Sequence, residues 1–120
     1  MYEEELFEAI KNNDIEKVKK LVEYGTDINV EYKYNYESKT ALMLALEKGH
    51  LEIIKYLVEH GADINAKNNY GATSLIMASM NRHLEVVKYL IENKADINIK
   101  YRGRKALDYA KNHVNDLFKK

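Results

Sequence analysis

The stretch LEIIKYLVEHGADINAK, at Leu51–Lys67, decides the fold because the chain repeats it. Thirty-three residues later, at Leu84–Lys100, stands LEVVKYLIENKADINIK, which matches it at 11 of 17 positions. A third copy, IEKVKKLVEYGTDINVE, lies at Ile15–Glu31, 36 residues before the first. A nearly fixed period of this length indicates a repeat protein, in which each repeat is one supersecondary unit.

A second element precedes the two best copies. It reads TALMLALEKGH at Thr40–His50 and TSLIMASMNRH at Thr73–His83. Each begins with threonine, whose hydroxyl commonly accepts a hydrogen bond from an unpaired backbone N–H where a helix starts. We therefore expect two helices in each repeat. Small residues recur at one phase of the first helix, which lets neighbouring helices approach closely: Ala9, Ala45, Ala78 and Ala110.

The ends of the helices carry their own signals. Gly25 and Gly61 stand where the second helices should end in a left-handed residue. Lys94 occupies that place in the next repeat, and Arg82 replaces the glycine at position 49. The segment that follows each second helix should bury one isoleucine, which is Ile28, Ile64 or Ile97 in turn.

One helical pair cannot bury its apolar face alone, whereas stacked neighbours can. The chain resembles the ankyrin repeat family through the residues Gly49–Glu52, Gly61–Ala66 and Gly71–Thr73. The resemblance implies an all-α solenoid of stacked helix-turn-helix units joined by projecting β-hairpin loops. It also implies a single domain over residues 1–120, with a cap repeat at 1–33, repeats at 34–67 and 68–100, and a short C-terminal cap at 101–120. Lys105 stands where the other repeats have threonine, so we expect that last unit to be uncapped.

Composition and motifs exclude several classes of function. The 120 residues are 46% hydrophobic and 32% charged, and the absence of cysteine excludes disulfides and thiolate chemistry. The histidines form no HExxH pair, the serines lie in no GxSxG context, and no glycine-rich phosphate loop occurs. We predict that the chain is not an enzyme and holds neither a metal nor a cofactor.

The sequence also bears on location. No apolar run approaches the roughly 18 residues that a membrane-spanning helix requires. The start, MYEEELFEAI, is acidic and lacks the layout of a signal peptide. We expect a cytoplasmic protein without a membrane span.

One hairpin loop differs from the others. The segment VEYKYNYESKT at Val30–Thr40 has the alternation of a half-exposed strand. From Asn29 to Leu42 is 13 residues, against 10 and 9 in the matching intervals of the next repeats. We predict a hairpin about three residues longer than its neighbours, with a left-handed turn at Asn35. The extra length is rich in tyrosine, at Tyr32, Tyr34 and Tyr36.

Two interpretations of these tyrosines remain open at this point. Tyr34 and Tyr36 could anchor a partner, since exposed tyrosines give a large contact area at a low entropy cost. Alternatively, the rings could pack on the next hairpin near Tyr70 and add only local stability. Core burial is not expected, because Ile28 and Leu42 already fill the apolar positions of the repeat.

The function implied by the resemblance is protein recognition through the hairpin tips and the exposed side of the first helices. Matched position by position, this candidate surface comprises Tyr34, Tyr36, Glu37, Lys39, Glu47 and Lys48, then Asn69, Tyr70, Ala72, Met80 and Asn81, and lastly Arg102, Arg104 and Asn112. Tyrosine, methionine and arginine are enriched at the centres of protein interfaces.

Charge leaves two alternatives. Residues 1–60 carry 8 lysines against 13 acidic residues, and residues 61–120 carry 11 basic against 6 acidic residues, so the net charges are −5 and +5. The cluster YRGRK at Tyr101–Lys105 could bind nucleic acid or another acidic ligand. The opposite halves could also associate weakly, head to tail, although we expect a monomer.

Overall fold

The computed structural model describes residues 2–110. The chain divides into two compact units, the first at Met1–Asp63 and the second at Ile64–Lys120. The first unit contains α1 (Glu3–Lys11), α2 (Ile15–Glu23), β1 (Glu31–Tyr34), β2 (Glu37–Thr40), α3 (Ala41–Lys48) and α4 (Leu51–Glu59). The second contains α5 (Ser74–Met80), α6 (Leu84–Glu92), β3 (Lys100–Tyr101), β4 (Arg104–Lys105) and α7 (Ala106–Ala110). The prediction of a mostly helical chain with helical pairs and short hairpins is confirmed. The prediction of a single domain stays a prediction.

The first helices of the two central repeats start as the sequence predicts. The Thr40 hydroxyl accepts a hydrogen bond from the backbone N–H of Met43, at 3.3 Å. The Thr73 hydroxyl does the same for the N–H of Ile76, also at 3.3 Å. Both threonines are buried, so these bonds satisfy helix-terminal N–H groups that water reaches poorly.

Packing inside each unit is carried by the first helices. In the first unit α3 packs against both α1 and α4, and in the second α5 packs against both α6 and α7. The predicted small residues lie inside these contacts, and all four are buried: Ala9, Ala45, Ala78 and Ala110. Larger apolar side chains, among them Leu6, Ile10, Leu42 and Leu46, fill the space around the alanines of the first unit.

The second helices end in the predicted left-handed residues. Gly25 has a φ of 100°, Gly61 has 99° and Lys94 has 73°. At the ends of the first helices, Arg82 with a φ of 59° matches Gly49 with 72°. Two basic side chains thus occupy a backbone conformation that favours glycine.

The isoleucines predicted to be buried after the second helices, Ile28, Ile64 and Ile97, are only half-buried. Each lies in a tight turn between an exposed aspartate and an asparagine. In the first unit the Asp27 carboxylate accepts a hydrogen bond from the N–H of Asn29 at 2.9 Å. Because this turn lies at the surface, the isoleucine between the two residues is covered on one side only.

An asparagine side chain links the successive turns within each unit. The Asn29 amide donates to the carbonyl of Gly61 at 3.1 Å and accepts from the N–H of Asp63 at 2.7 Å. In the second unit the Asn65 side chain accepts from the N–H of Asp96 at 2.8 Å. The asparagine that recurs in the repeat therefore satisfies backbone groups in the next copy of the same turn.

The start of α7 differs from that of the other first helices. The backbone N–H of Lys105 donates to the Asp108 carboxylate at 3.0 Å, which is the reverse half of a capping box, while no threonine hydroxyl is present at this position. The Tyr109 hydroxyl also donates to the carbonyl of Tyr101. The rest of the predicted cap, residues 111–120, lies outside the described residues.

We predict that Lys94→Gly raises the free energy of unfolding by about 1 kcal/mol, because a non-glycine residue in the left-handed conformation costs about that much. Urea denaturation measures the difference. The matched control is Lys88→Gly, an exposed position inside α6, which should lower stability by about 1 kcal/mol. Loss of stability in both variants would contradict the strain assigned to Lys94.

Candidate functional site

The tyrosine-rich segment forms the predicted hairpin. Strands β1 and β2 pair antiparallel with Tyr34 opposite Glu37, which leaves Asn35 and Tyr36 as a two-residue turn. Asn35 has a φ of 58°, so the predicted left-handed turn residue is confirmed. The hairpin is also the longer one, since four residue pairs form its ladder against two in β3–β4.

One face of this hairpin is aromatic and rests on α1. Side chains directly opposite each other share a face, so Tyr32 and Tyr34 lie together with Glu37 and Lys39. The Tyr32 ring packs on Phe7 of α1, with 4.6 Å between ring centroids. The Tyr34 ring stacks on Tyr32, with centroids 6.3 Å apart and planes within 6° of parallel.

The same face is fixed to α3 by charge. The Lys39 ammonium lies 3.1 Å from a Glu37 carboxylate oxygen and 2.9 and 3.0 Å from the two oxygens of Glu47. Burial by itself lowers the pKa of Lys39, but the hydrogen bonds to Glu47 and Glu37 outweigh it, and the pKa is raised. The Lys39 side chain is only 15% exposed. Lys39 thus supports the hairpin and presents little surface of its own.

The hairpin tip is open to solvent. Tyr36, in the turn, is 92% exposed and Tyr34 is 64% exposed. Their large rings therefore stand on a base that two helices hold in place. The alternative of packing near Tyr70 stays a prediction.

The other predicted surface residues take several positions. In the first unit, Glu47 and Lys48 are exposed near the end of α3. In the second unit, the following predicted residues are exposed: Asn69, Tyr70, Met80, Asn81, Arg102 and Arg104. The prediction that Ala72 lies on the contact surface is wrong, because Ala72 is only 4% exposed and its N–H donates to the Asn68 side chain at 3.0 Å. Asn112 lies outside the described residues.

The second hairpin is basic. Arg102 and Gly103 form its turn, with φ values of 53° and 78°. The Arg102 guanidinium lies over the Tyr101 ring, 5.1 Å from its centroid, which is within the range of a cation–π interaction. The predicted YRGRK cluster is therefore a compact tip in which one arginine already covers a tyrosine.

Sequence reasoning missed the base of the tyrosine hairpin. It assigned no role to Phe7 or Lys11, yet Phe7 contacts the Tyr32 ring and the Lys11 ammonium lies 5.3 Å from the centroid of that ring. It also placed Lys39 on the contact surface. These contacts join residues far apart in sequence, although the apolar Phe7 in an acidic first helix was a signal that it is buried.

Residues 2–110 hold neither a cluster of metal ligands nor a helix that could span a membrane. No three side chains of histidine, aspartate or glutamate converge there as a set of metal ligands. None of the helices in that range has the length and apolar composition to cross a lipid bilayer.

Comparison with known families gave one match. A family model described as ankyrin repeats in three copies matches residues 6–101 and, again, residues 67–117. No curated protein matches the chain. The family match covers the described helical pairs and agrees with the repeats and hairpins set out above.

The stabilisation from Lys39 should disappear at high pH. Its pKa is raised above 10.5 in the folded protein, so its contribution is complete below that value and is lost as the pH rises through the folded pKa. Above pH 10.5, we expect Lys39→Arg to retain stability that the wild type loses, because arginine stays charged. Urea denaturation from neutral to strongly alkaline pH measures this. Parallel loss in both proteins would contradict the assignment.

Proposed function

The chain belongs to the ankyrin repeat family, and from that premise we propose that it is a non-catalytic module that binds a protein partner. Ankyrin repeats are generally protein–protein interaction modules. We also propose that the repeats stack into a solenoid, as the family resemblance implies. From the sequence we further propose a cytoplasmic location and a monomer that can associate weakly head to tail. The partner contacts the hairpin tips and the exposed side of the first helices.

One observation carries the proposal, which is the exposure of Tyr34 and Tyr36 on a supported hairpin. Tyrosine is among the residues that contribute most binding energy at interfaces, and both rings lie at the tip of one hairpin. Because the strands below are fixed to α1 and α3, binding would not need to order a loose loop. An interface that is ordered beforehand loses less conformational entropy on binding.

The proposed surface has a centre and a periphery. In the first unit, Tyr34 and Tyr36 form the centre, with Glu37, Glu47 and Lys48 beside them. Lys39 contributes by holding Glu37 and Glu47 in place. In the second unit, the proposed surface consists of the exposed residues Asn69, Tyr70, Met80, Asn81, Arg102 and Arg104.

We predict that replacing both Tyr34 and Tyr36 with alanine weakens capture of the native partner about tenfold or more, because interface anchors are worth about 2 kcal/mol or more. Helical circular dichroism and the melting temperature should change little, since both rings are exposed. Quantitative affinity capture from native cytosol, with mass spectrometry of the captured protein, measures the effect.

The matched control is Tyr24→Ala, which removes an exposed tyrosine at the end of α2. Capture by this variant should equal that of the wild type. If the double variant binds normally and melts several degrees lower, the tyrosines serve packing and the proposed surface is wrong.

A further inference from the structure

An aromatic row leads from the interior of the first unit to its surface. Phe7 is buried, Tyr32 is half-buried and Tyr34 is exposed, and the rings contact one another in that order. The row ends in a ring that lies nearly parallel to the one below it. Tyr34 thus presents most of its ring to solvent at the end of the row.

Tyrosine rings in both hairpins already attract cations of this chain. The Lys11 ammonium lies 5.3 Å from the centroid of Tyr32, in the middle of the row. In the second unit the Arg102 guanidinium lies 5.1 Å from the centroid of Tyr101. Both contacts follow from the quadrupole of an aromatic ring, whose partly negative face attracts a cation within about 6 Å. A cation from a partner could occupy Tyr34 in the same way.

Carboxylates outnumber lysines on the Tyr34 face of the hairpin and on α1 taken together. Glu37 stands directly opposite Tyr34 in the ladder and shares its face. The carboxylates of Glu37 and Glu47 share one ammonium, that of Lys39, and a second ammonium, that of Lys11, lies over the neighbouring Tyr32 ring. Helix α1, which contacts β1, adds further exposed carboxylates at Glu4, Glu5 and Glu8.

From this arrangement we propose that the first hairpin recognises an arginine-bearing segment of its protein partner. The guanidinium stacks on Tyr34 while its N–H groups donate to the Glu37 carboxylate. Arginine fits better than lysine, because a planar guanidinium can stack and form directed hydrogen bonds at once. The inference rests on the proposed function and adds the chemistry of the partner.

Other occupants fit this surface less well. An apolar segment would remove water from the Glu37 carboxylate without giving it a new partner, which is costly. A nucleic acid would bring phosphates against the carboxylates of the hairpin and of α1. Charge complementarity therefore selects a basic segment.

The test is a titration of the full chain, with labelled tyrosine rings, followed by nuclear magnetic resonance. The probes are three peptides that differ at two positions only: acetyl-Gly-Ser-Xaa-Gly-Xaa-Ser-Gly-amide with Xaa as arginine, lysine or citrulline. Citrulline keeps the planar shape of arginine without its charge. We expect saturable shifts of the Tyr34 ring signals with the arginine peptide. Binding should be about threefold weaker with lysine, and weaker again with citrulline.

Variants of the chain distinguish binding at the Tyr34 site from attraction to the carboxylates of the chain in general. Glu37→Gln should weaken binding of the arginine peptide about threefold. Glu31→Gln, which removes the same charge from the opposite face of the hairpin, should leave it unchanged. Tyr34→Phe should retain most of the binding and Tyr34→Ala should lose it, since the ring face is required.

Three results would overturn the inference. The first is equal binding of the three peptides, and the second is an equal effect of Glu37→Gln and Glu31→Gln. The third is a concentration-dependent shift of Tyr34 without peptide that Arg102→Ala abolishes, which would identify a second copy of this chain as the occupant.

The failure of the inference can be told from the failure of the proposed function. If capture of the native partner needs the hairpin tyrosines but the three peptides bind equally, only the proposed chemistry of the partner is wrong. If capture ignores the tyrosines, the proposed function is wrong, and the inference that rests on it is overturned as well.

Discussion

The close approach of neighbouring first helices is the constraint on which each unit depends. One helical pair leaves an apolar face uncovered, and α3 can cover that of α1 only because Ala9 and Ala45 are small and buried. In the second unit, Ala78 and Ala110 play the same part for α5 and α7. The segments that connect these helices must therefore fit the distance between helices that the alanines set.

The tyrosine hairpin follows from that spacing. It connects α2 to α3, and because α3 packs on α1, strand β1 lies against α1. Tyr32 then reaches Phe7, and Lys39 reaches Glu47. The extra length of the hairpin therefore does not become a loose loop. Its lower part is held by apolar contact and by charge, and its tip projects with two exposed rings. This division into a fixed base and an exposed tip suits recognition, because little conformational freedom remains to be lost.

Local rules explain what the sequence could predict. The threonine caps, the left-handed ends at Gly61 and Lys94 and the turn at Asn35 each depend on a few neighbouring residues. The parts that it could not predict join distant residues. Asn29 bonds a turn more than thirty positions away, and Lys39 is covered by two glutamates. Ala72 was misplaced because matching positions in a repeat gives sequence location but not burial.

The central claim is that the strands of the first hairpin pack on α1 and α3 while its tip is exposed to solvent. Amide hydrogen exchange on the free full chain, resolved by residue, tests it most directly. The account predicts that the amides that donate across the ladder of Glu31–Tyr34 and Glu37–Thr40, which alternate along each strand, are protected to nearly the level of α1, whereas the Asn35 amide in the turn exchanges rapidly. Rapid exchange throughout the hairpin, with α1 and α3 still protected, would contradict the claim and show a loop that contributes no ordered surface.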